Sequence, residues 1–316
     1  MVDFEHKEFN KFIRREKGRF TKDTWMNRQS GIAKFEEYIL KNDLEIDECT
    51  QRNLDSYLSY LTTPQDEGGA GLTDLSASLY MTAVRKFYDW YLMDEDAENP
   101  ARKVSTSHMD LKNVEYDKIT LNQDELRALV DSAETQRGKA LISLMASTGL
   151  RLREACSLKR KQVELEFRKV SEVKTLKRDD DHHRDVFFDR RTRRILKKYI
   201  NGTRAKYGES KYFFTSRNNT NSHMSTDRGR VEFKRAVENC DEVQEYIDFN
   251  VMADGRERST LSSHILRRSF CQIFVDNGGD IMTLKNIAGW DKLETAKSYL
   301  DESNDLQTRD KFGVQL

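Results

Sequence analysis

Along most of the chain, apolar residues recur at the three- and four-residue spacing of an amphipathic helix; one short stretch switches to strict alternation. Residues Phe4 to Lys17 mix apolar and charged groups at helical spacing. Trp25, Ile32, Phe35, Tyr38 and Ile39 form a stripe that predicts a helix from Asp23 to Leu40. A third helix is predicted over Leu54 to Leu61. Pro64 and the run Glu67-Gly68-Gly69-Ala70-Gly71 then make a loop. Thr73 or Asp74 caps a fourth helix through Leu92, whose aromatic face of Tyr80, Phe87, Tyr88 and Trp90 reads as core. Asn99-Pro100 closes this first domain, and the polar stretch from Ala101 to Tyr116 reads as a linker.

Beyond the linker, Asn122 and Glu125 have the spacing of a reciprocal helix cap before Leu126, Leu129 and Val130. A helix from Arg137 to Ser147 follows. Glu164 to Phe167, Lys169 to Lys174 and Asp185 to Phe188 alternate with period two and predict three short antiparallel strands. Helical spacing returns at Arg190 to Ile200 and Gly229 to Val237. Ser262 or Ser263 caps a helix carrying His264 and Arg267, Asp280 caps the next, Gly289 ends it, and Asp291 opens a last helix through Leu300. Only two prolines interrupt the chain, which suits a mainly helical fold. The expected architecture is mainly α with a small antiparallel β-sheet, in two domains: residues 1–100, all helical, and residues 117–316, α+β, joined by residues 101–116.

Composition narrows the class. The 316 residues are 37% hydrophobic and 34% charged, enough apolar material for two small cores. Charges balance at 54 against 54, but Arg151 to Lys206 holds 19 Lys and Arg against 9 Asp and Glu. Such a local excess can serve an anionic polymer even when the total is zero. Cys49, Cys156, Cys240 and Cys271 contain no C-x-x-C pair, so the spacing indicates neither a zinc site nor a disulfide framework. The first residues lack a secretory pattern, and no run approaches the roughly 20 apolar residues of a membrane span. These features predict a soluble cytoplasmic protein with no membrane partner.

The densest chemistry lies near the C-terminal end. Ser263-His264-Ile265-Leu266-Arg267-Arg268-Ser269-Phe270, Ala288-Gly289-Trp290 and Tyr299 supply an imidazole, a guanidinium, an indole N–H and a phenol. His264 and Arg267 are three apart and share a helix face. Upstream, Ala146-Ser147-Thr148-Gly149-Leu150-Arg151-Leu152-Arg153-Glu154 puts Arg151 just after a glycine turn and Glu154 one helical turn later. Two arginines offer planar, permanently charged forks for phosphate oxygens, and no acidic cluster suggests a metal in their place. Arg151 and Arg267 are the candidate phosphate clamps, with Glu154 holding Arg151. Tyr299 is the candidate nucleophile. A phenol with an ordinary pKa near 10 needs activation, which adjacent guanidinium charge and His264 can supply. Trp290 can only donate, through its indole N–H.

These segments resemble the tyrosine recombinase (phage integrase, Xer-like) family. Thr148-Gly149-Leu150-Arg151 with Glu154 matches the family's T-G-L-R-x-x-E box, and His264 to Ser269 matches H-x-L-R-x-S. Gly289-Trp290 with Tyr299 nine residues on matches its G-H box, with Trp replacing His. The resemblance implies a SAM-like N-terminal core-binding domain that clamps DNA and a C-terminal catalytic domain. It also implies a lysine on the strand hairpin acting as general acid; Lys174 fits better by its distance from Arg151, with Lys177 the alternative. Lys177, Arg178 and Arg184 are candidate DNA backbone contacts. The implied reaction is site-specific recombination of double-stranded DNA through a 3′-phosphotyrosyl intermediate and a Holliday junction, with no metal, ATP or other cofactor. The implied assembly is a homotetramer on the recombination site, helped by accessory DNA-bending or directionality proteins, with the amphipathic tail Leu300 to Leu316 docking on a neighbouring protomer. Two other readings use the same residues: a type IB topoisomerase and a non-catalytic DNA-binding regulator.

Overall fold

The computed structural model describes residues 3–107, 109, 119–175, 182–247, 249–251, 257–259 and 261–297. It is mainly helical with a small antiparallel sheet. By proximity along the fold, the chain divides into one unit of residues 1–116 with 251–257 and another of residues 117–250 with 258–316.

The first unit is built on four helices: α1 (Lys7–Arg19), α2 (Lys22–Lys41), α3 (Gln51–Thr62) and α4 (Asp74–Tyr91). Their starts follow cap chemistry. Thr50 and Asn53 cap α3 reciprocally, and the Thr73 side chain accepts from Ser76 N at the head of α4. The core is aromatic: Phe9, Phe12, Phe35, Tyr57, Phe87 and Tyr88 are buried together, with the Phe9 and Phe87 rings edge-to-face at 4.7 Å. The stretch read as a linker does not begin at Ala101. Ala101, Val104 and Met109 are buried on this core, and Arg85 donates to the carbonyls of Ala101 (3.1 Å) and Val104 (2.8 Å). Three apolar residues at irregular spacing were enough to extend the packed unit, and the polar composition between them hid it.

The second unit opens with α5 (Gln123–Asp131) and α6 (Gln136–Thr148). Asn122 and Glu125 cap α5 reciprocally. α7 (Leu152–Ser157) follows the Gly149 turn. A three-stranded antiparallel sheet has the order β1 (Val163–Glu164), β2 (Lys169–Lys174), β3 (His183–Phe187), with Lys174 opposite His183. α8 (Arg190–Asn201) and α9 (Thr226–Glu238) come next; β4 (Phe249–Val251) and β5 (Glu257–Ser259) follow along the chain, a two-stranded pair that sequence spacing did not reveal and whose Val251 and Glu257 are grouped with the first unit. Three-residue strands show too little alternation to read. The unit closes with α10 (His264–Asp276), α11 (Ile281–Ala288) and α12 (Glu294–Lys297). α6 lies at the centre, packed against α5, α8, α9 and α10, and its Leu141, Ile142, Leu144 and Met145 join Leu196, Phe233 and Leu266 in one core.

Ser269 ties α10 to the entry of this unit. Its buried Oγ accepts from Leu121 N at 2.8 Å and donates to Ile265 O at 2.9 Å. Replacing Ser269 by Ala leaves a buried N–H without its acceptor, a loss of about 1–3 kcal/mol. Denaturant unfolding of the full chain should show that loss as a lower midpoint with an unchanged slope; an unchanged midpoint would remove Ser269 from the account.

Candidate active site

Three turns of chain meet at the site. The first is the C-terminal end of α6, where Gly149 takes a left-handed conformation (φ 65°) and turns the chain toward Arg151. A Cβ on Gly149 would also lie 2.5 Å from Cδ1 of Phe270 on α10, so both backbone and packing require glycine. The second is the first half of α10, which carries His264, Arg267 and Ser269. The third is the end of α11, where Gly289 is again left-handed (φ 65°) and delivers Trp290.

Arg267 joins all three. Its side chain is 1% exposed. Nη1 donates to Gly149 O at 2.7 Å and Nη2 to Ala288 O at 2.6 Å, while the guanidinium carbon sits 5.1 Å from the centre of the Trp290 ring. Burial, with the nearby Arg151 charge adding to it, pushes the Arg267 pKa down to about 10, which still leaves it cationic at neutral pH. Its described hydrogen bonds go to neutral carbonyls, and the Glu154 carboxylate offsets its charge only at longer range.

Arg151 stands at the head of α7. Glu154 accepts from its backbone N through Oε2 (2.9 Å) and from its Nη1 through Oε1 (3.1 Å), fixing where the turn and its guanidinium point. Glu154 is buried and also accepts from Nη2 of Arg184 at 2.8 Å. Burial is the largest influence on Glu154 and opposes its ionisation. The Arg184 guanidinium, the hydrogen bond it donates and the Arg151 groups outweigh it and hold the carboxyl below the usual glutamate range. Arg151, Arg184 and Arg267 therefore gather around one carboxylate. The surplus positive charge is set partly out of water, where it attracts an anion more strongly than at an open surface.

The remaining candidates are placed as follows. Lys174 is exposed at the end of β2, and His264 is exposed at the first position of α10. Ser263 is the cap residue of α10 without a side-chain capping bond; Ser262 Oγ accepts from His264 N at 3.4 Å. Trp290 is half-buried beside Arg267. Lys177, Arg178, Tyr299 and the tail Leu300 to Leu316 lie outside the described residues. Arg184 corrects an expectation. Rather than reaching toward a DNA backbone, it is buried, with Nε on Ile287 O (2.7 Å), Nη1 on Thr175 Oγ1 (2.9 Å) and Nη2 on Glu154. Alternation carried the missed signal. Arg184 shares its strand face with buried Val186, a parity that marks it as pointing inward.

With this geometry in view, comparison with known proteins assigns the class. The chain belongs to the phage integrase family of tyrosine recombinases: the phage integrase family pattern matches residues 120–305, and the phage integrase SAM-like domain matches residues 6–89. Among curated relatives, tyrosine recombinase XerC of Staphylococcus aureus (strain USA300 / TCH1516) is 22% identical over 291 residues, spanning 90% of this chain and 88% of that protein. Among solved structures, XerH recombinase bound to difH substrate has a TM-score of 0.67 at 18% identity, covering 96% of this chain and 93% of its own. A lambda integrase dimer bound to a COC' core site has a TM-score of 0.66 at 14% identity, covering 96% and 79%. The Tn1549 transposon integrase in complex with circular intermediate DNA has a TM-score of 0.64 at 17% identity, covering 93% of each. At such identities these structures establish the fold. No helix among the described residues is long and apolar enough to cross a membrane.

Glu154 makes a pH-dependent prediction. A carboxyl whose folded pKa is depressed adds stability that is complete above its unfolded value near 4.5 and is lost as pH falls through the lower folded value. At neutral pH, Glu154→Gln leaves Arg184 buried without its counter-charge, a cost of about 3–5 kcal/mol. Thermal denaturation of both forms from pH 7 to pH 3 should show the gap closing below pH 4; a constant gap would contradict the assigned ion pair.

Proposed function

We propose that this protein is a site-specific recombinase that cuts and rejoins double-stranded DNA through Tyr299. The observation that carries the reading is the Arg267 clamp. One buried cation with no carboxylate among its described hydrogen-bond partners is fixed to the Arg151 turn and to the Trp290 turn at once. One carboxylate, Glu154, faces Arg151, Arg184 and Arg267, and a scissile phosphate supplies negative charge against the remaining surplus. Phosphoryl transfer asks chiefly for positioning and for neutralisation of the non-bridging oxygens, and Arg151 and Arg267 do both.

In this reaction the Tyr299 oxygen attacks phosphorus and the bond to the 5′ oxygen breaks. The product is a 3′-phosphotyrosyl ester and a 5′-hydroxyl. His264 accepts the phenolic proton or binds a phosphate oxygen, and the Trp290 N–H donates to a non-bridging oxygen. A hairpin lysine, Lys174 or Lys177, protonates the leaving oxygen. Ester energy is conserved, so a 5′-hydroxyl from a partner strand reverses the step and exchanges strands. Four protomers on two sites, passing through a Holliday junction, complete recombination. The helical unit, which extends through the packed Ala101, Val104 and Met109, and the catalytic unit both contact the DNA. DNA-bending or directionality proteins assist at the site. The structural relatives bound to difH substrate, to a COC' core site and to circular intermediate DNA support a DNA partner.

The test uses a nicked duplex containing the gene's own flanking sequence, which traps the ester because the cleaved strand's end diffuses away. The wild-type chain should form a covalent adduct resolved on a denaturing gel. Tyr299→Phe should form none while its Kd for the same duplex stays within about threefold, since one hydroxyl is removed from a large phosphate-contacting surface. An adduct formed by the Phe variant would assign the nucleophile elsewhere.

A further inference from the structure

We propose that Arg184 is a positioning residue: a single guanidinium that locks together the three chain segments from which the catalytic groups project. The inference rests on the recombinase reading above. Its three hydrogen bonds among the described residues run to three different segments. Nη2 reaches Glu154, which holds both the backbone and the side chain of Arg151. Nη1 reaches Thr175, the residue after Lys174 (2.9 Å), and Thr175 N in turn donates to His182 O across the strand pair at 2.9 Å. Nε reaches Ile287 O, one residue before the Ala288 carbonyl that receives Arg267 and two before Gly289-Trp290. No ammonium can make this planar three-way contact, because its donors radiate from one point.

Gly289 shows how closely the parts are fitted. A Cβ there would lie 2.9 Å from Cζ and Nη1 of Arg184, so the guanidinium occupies the space that a side chain on the Trp290 turn would need. Arg184 thus sets the spacing between the phosphate clamp, the hairpin lysine and the Trp290 turn without touching the phosphate. Displacement of a reacting group by about 1 Å costs on the order of 100-fold in rate. The groups facing Glu154 are Arg151 from the head of α7, Arg184 from β3 and, at longer range, Arg267 from α10. Without Arg184, burial raises the Glu154 pKa, and the protonated acid holds Arg151 less firmly.

The experiment uses the full chain and the nicked duplex, with wild type first shown to form its Tyr299 adduct; absence of that adduct would overturn the recombinase reading and this proposal with it, whereas the variant outcomes below bear on this proposal alone. Arg184→Lys should bind the duplex within about threefold of wild type yet form adduct about 100-fold more slowly at saturating protein. Arg184→Gln should show cleavage that rises with pH more steeply than wild type, and Glu154→Gln in the same chain should remove the extra slope. The two losses should also fail to multiply, the double variant falling no more than about threefold below the slower single one. Should the Lys and Gln forms not fold, Thr175→Val, close in shape, removes one of the three bonds and should slow cleavage about tenfold with binding intact. Cleavage within threefold of wild type in Arg184→Lys or Thr175→Val, a parallel loss of binding and cleavage, or fully multiplying losses would each overturn the proposal.

Discussion

The catalytic unit depends on a surplus of positive charge held out of water around one carboxylate. Arg267 is almost fully covered, Arg184 is buried, Arg151 is partly covered, and Glu154 supplies the negative charge among them. A buried charge without a partner costs several kcal/mol, so a fold keeps such an arrangement only where neighbouring groups hold it in place. Here the neighbours are carbonyls at the ends of helices. Gly149 O, Ile287 O and Ala288 O all belong to the last turns of α6 and α11, where backbone oxygens are left without helical donors and the helix dipole is negative. The two left-handed glycines that end these helices therefore do more than terminate them. They expose the carbonyls that make a buried cationic cluster tolerable.

The rest of the unit follows from that need. α6 carries the Arg151 turn and packs at the centre of the core, so the turn is as rigid as the core itself. α10 lies against α6, which allows Arg267 to cross to Gly149 O, and Ser269 anchors the same helix to the segment before α5. The sheet contributes through Thr175 and Arg184, joining the strand that ends at Lys174 to the same network. Sites distant in sequence are connected by short, directional bonds, which is the form of preorganisation that charge stabilisation requires.

Much of this was legible in the sequence because the responsible signals are local. Helical spacing located α2, α4 and α6 to within a few residues, and cap residues such as Asn122, Thr73 and Asp280 fixed where helices begin. The T-G-L-R-x-x-E and H-x-L-R-x-S spacings single out Arg151, Glu154 and Arg267, which the fold brings close together. What escaped notice was non-local or carried by a weak pattern. Arg184 looked like a surface cation in a basic stretch. Only its parity with Val186 on β3, and a partner 30 residues earlier in Glu154, reveal it as interior. Ala101, Val104 and Met109 gave no periodicity, yet they pack on the first core. β4 and β5 are too short for alternation to register. Charge type alone does not separate a DNA-facing arginine from a buried one; the strand face does.

The central claim, that the buried positive surplus acts on phosphate charge, is tested most directly by removing that charge from the substrate. Single-turnover cleavage by wild type and Arg267→Ala should be compared on a natural scissile phosphodiester and on a neutral methylphosphonate at the same position. On the natural bond the variant should lose at least about 100-fold, the scale of a lost oxyanion contact. On the methylphosphonate, with one negative oxygen gone, the loss should shrink to about tenfold or less. Equal losses on both substrates would mean that Arg267 serves the fold alone, and the account of the site would be wrong.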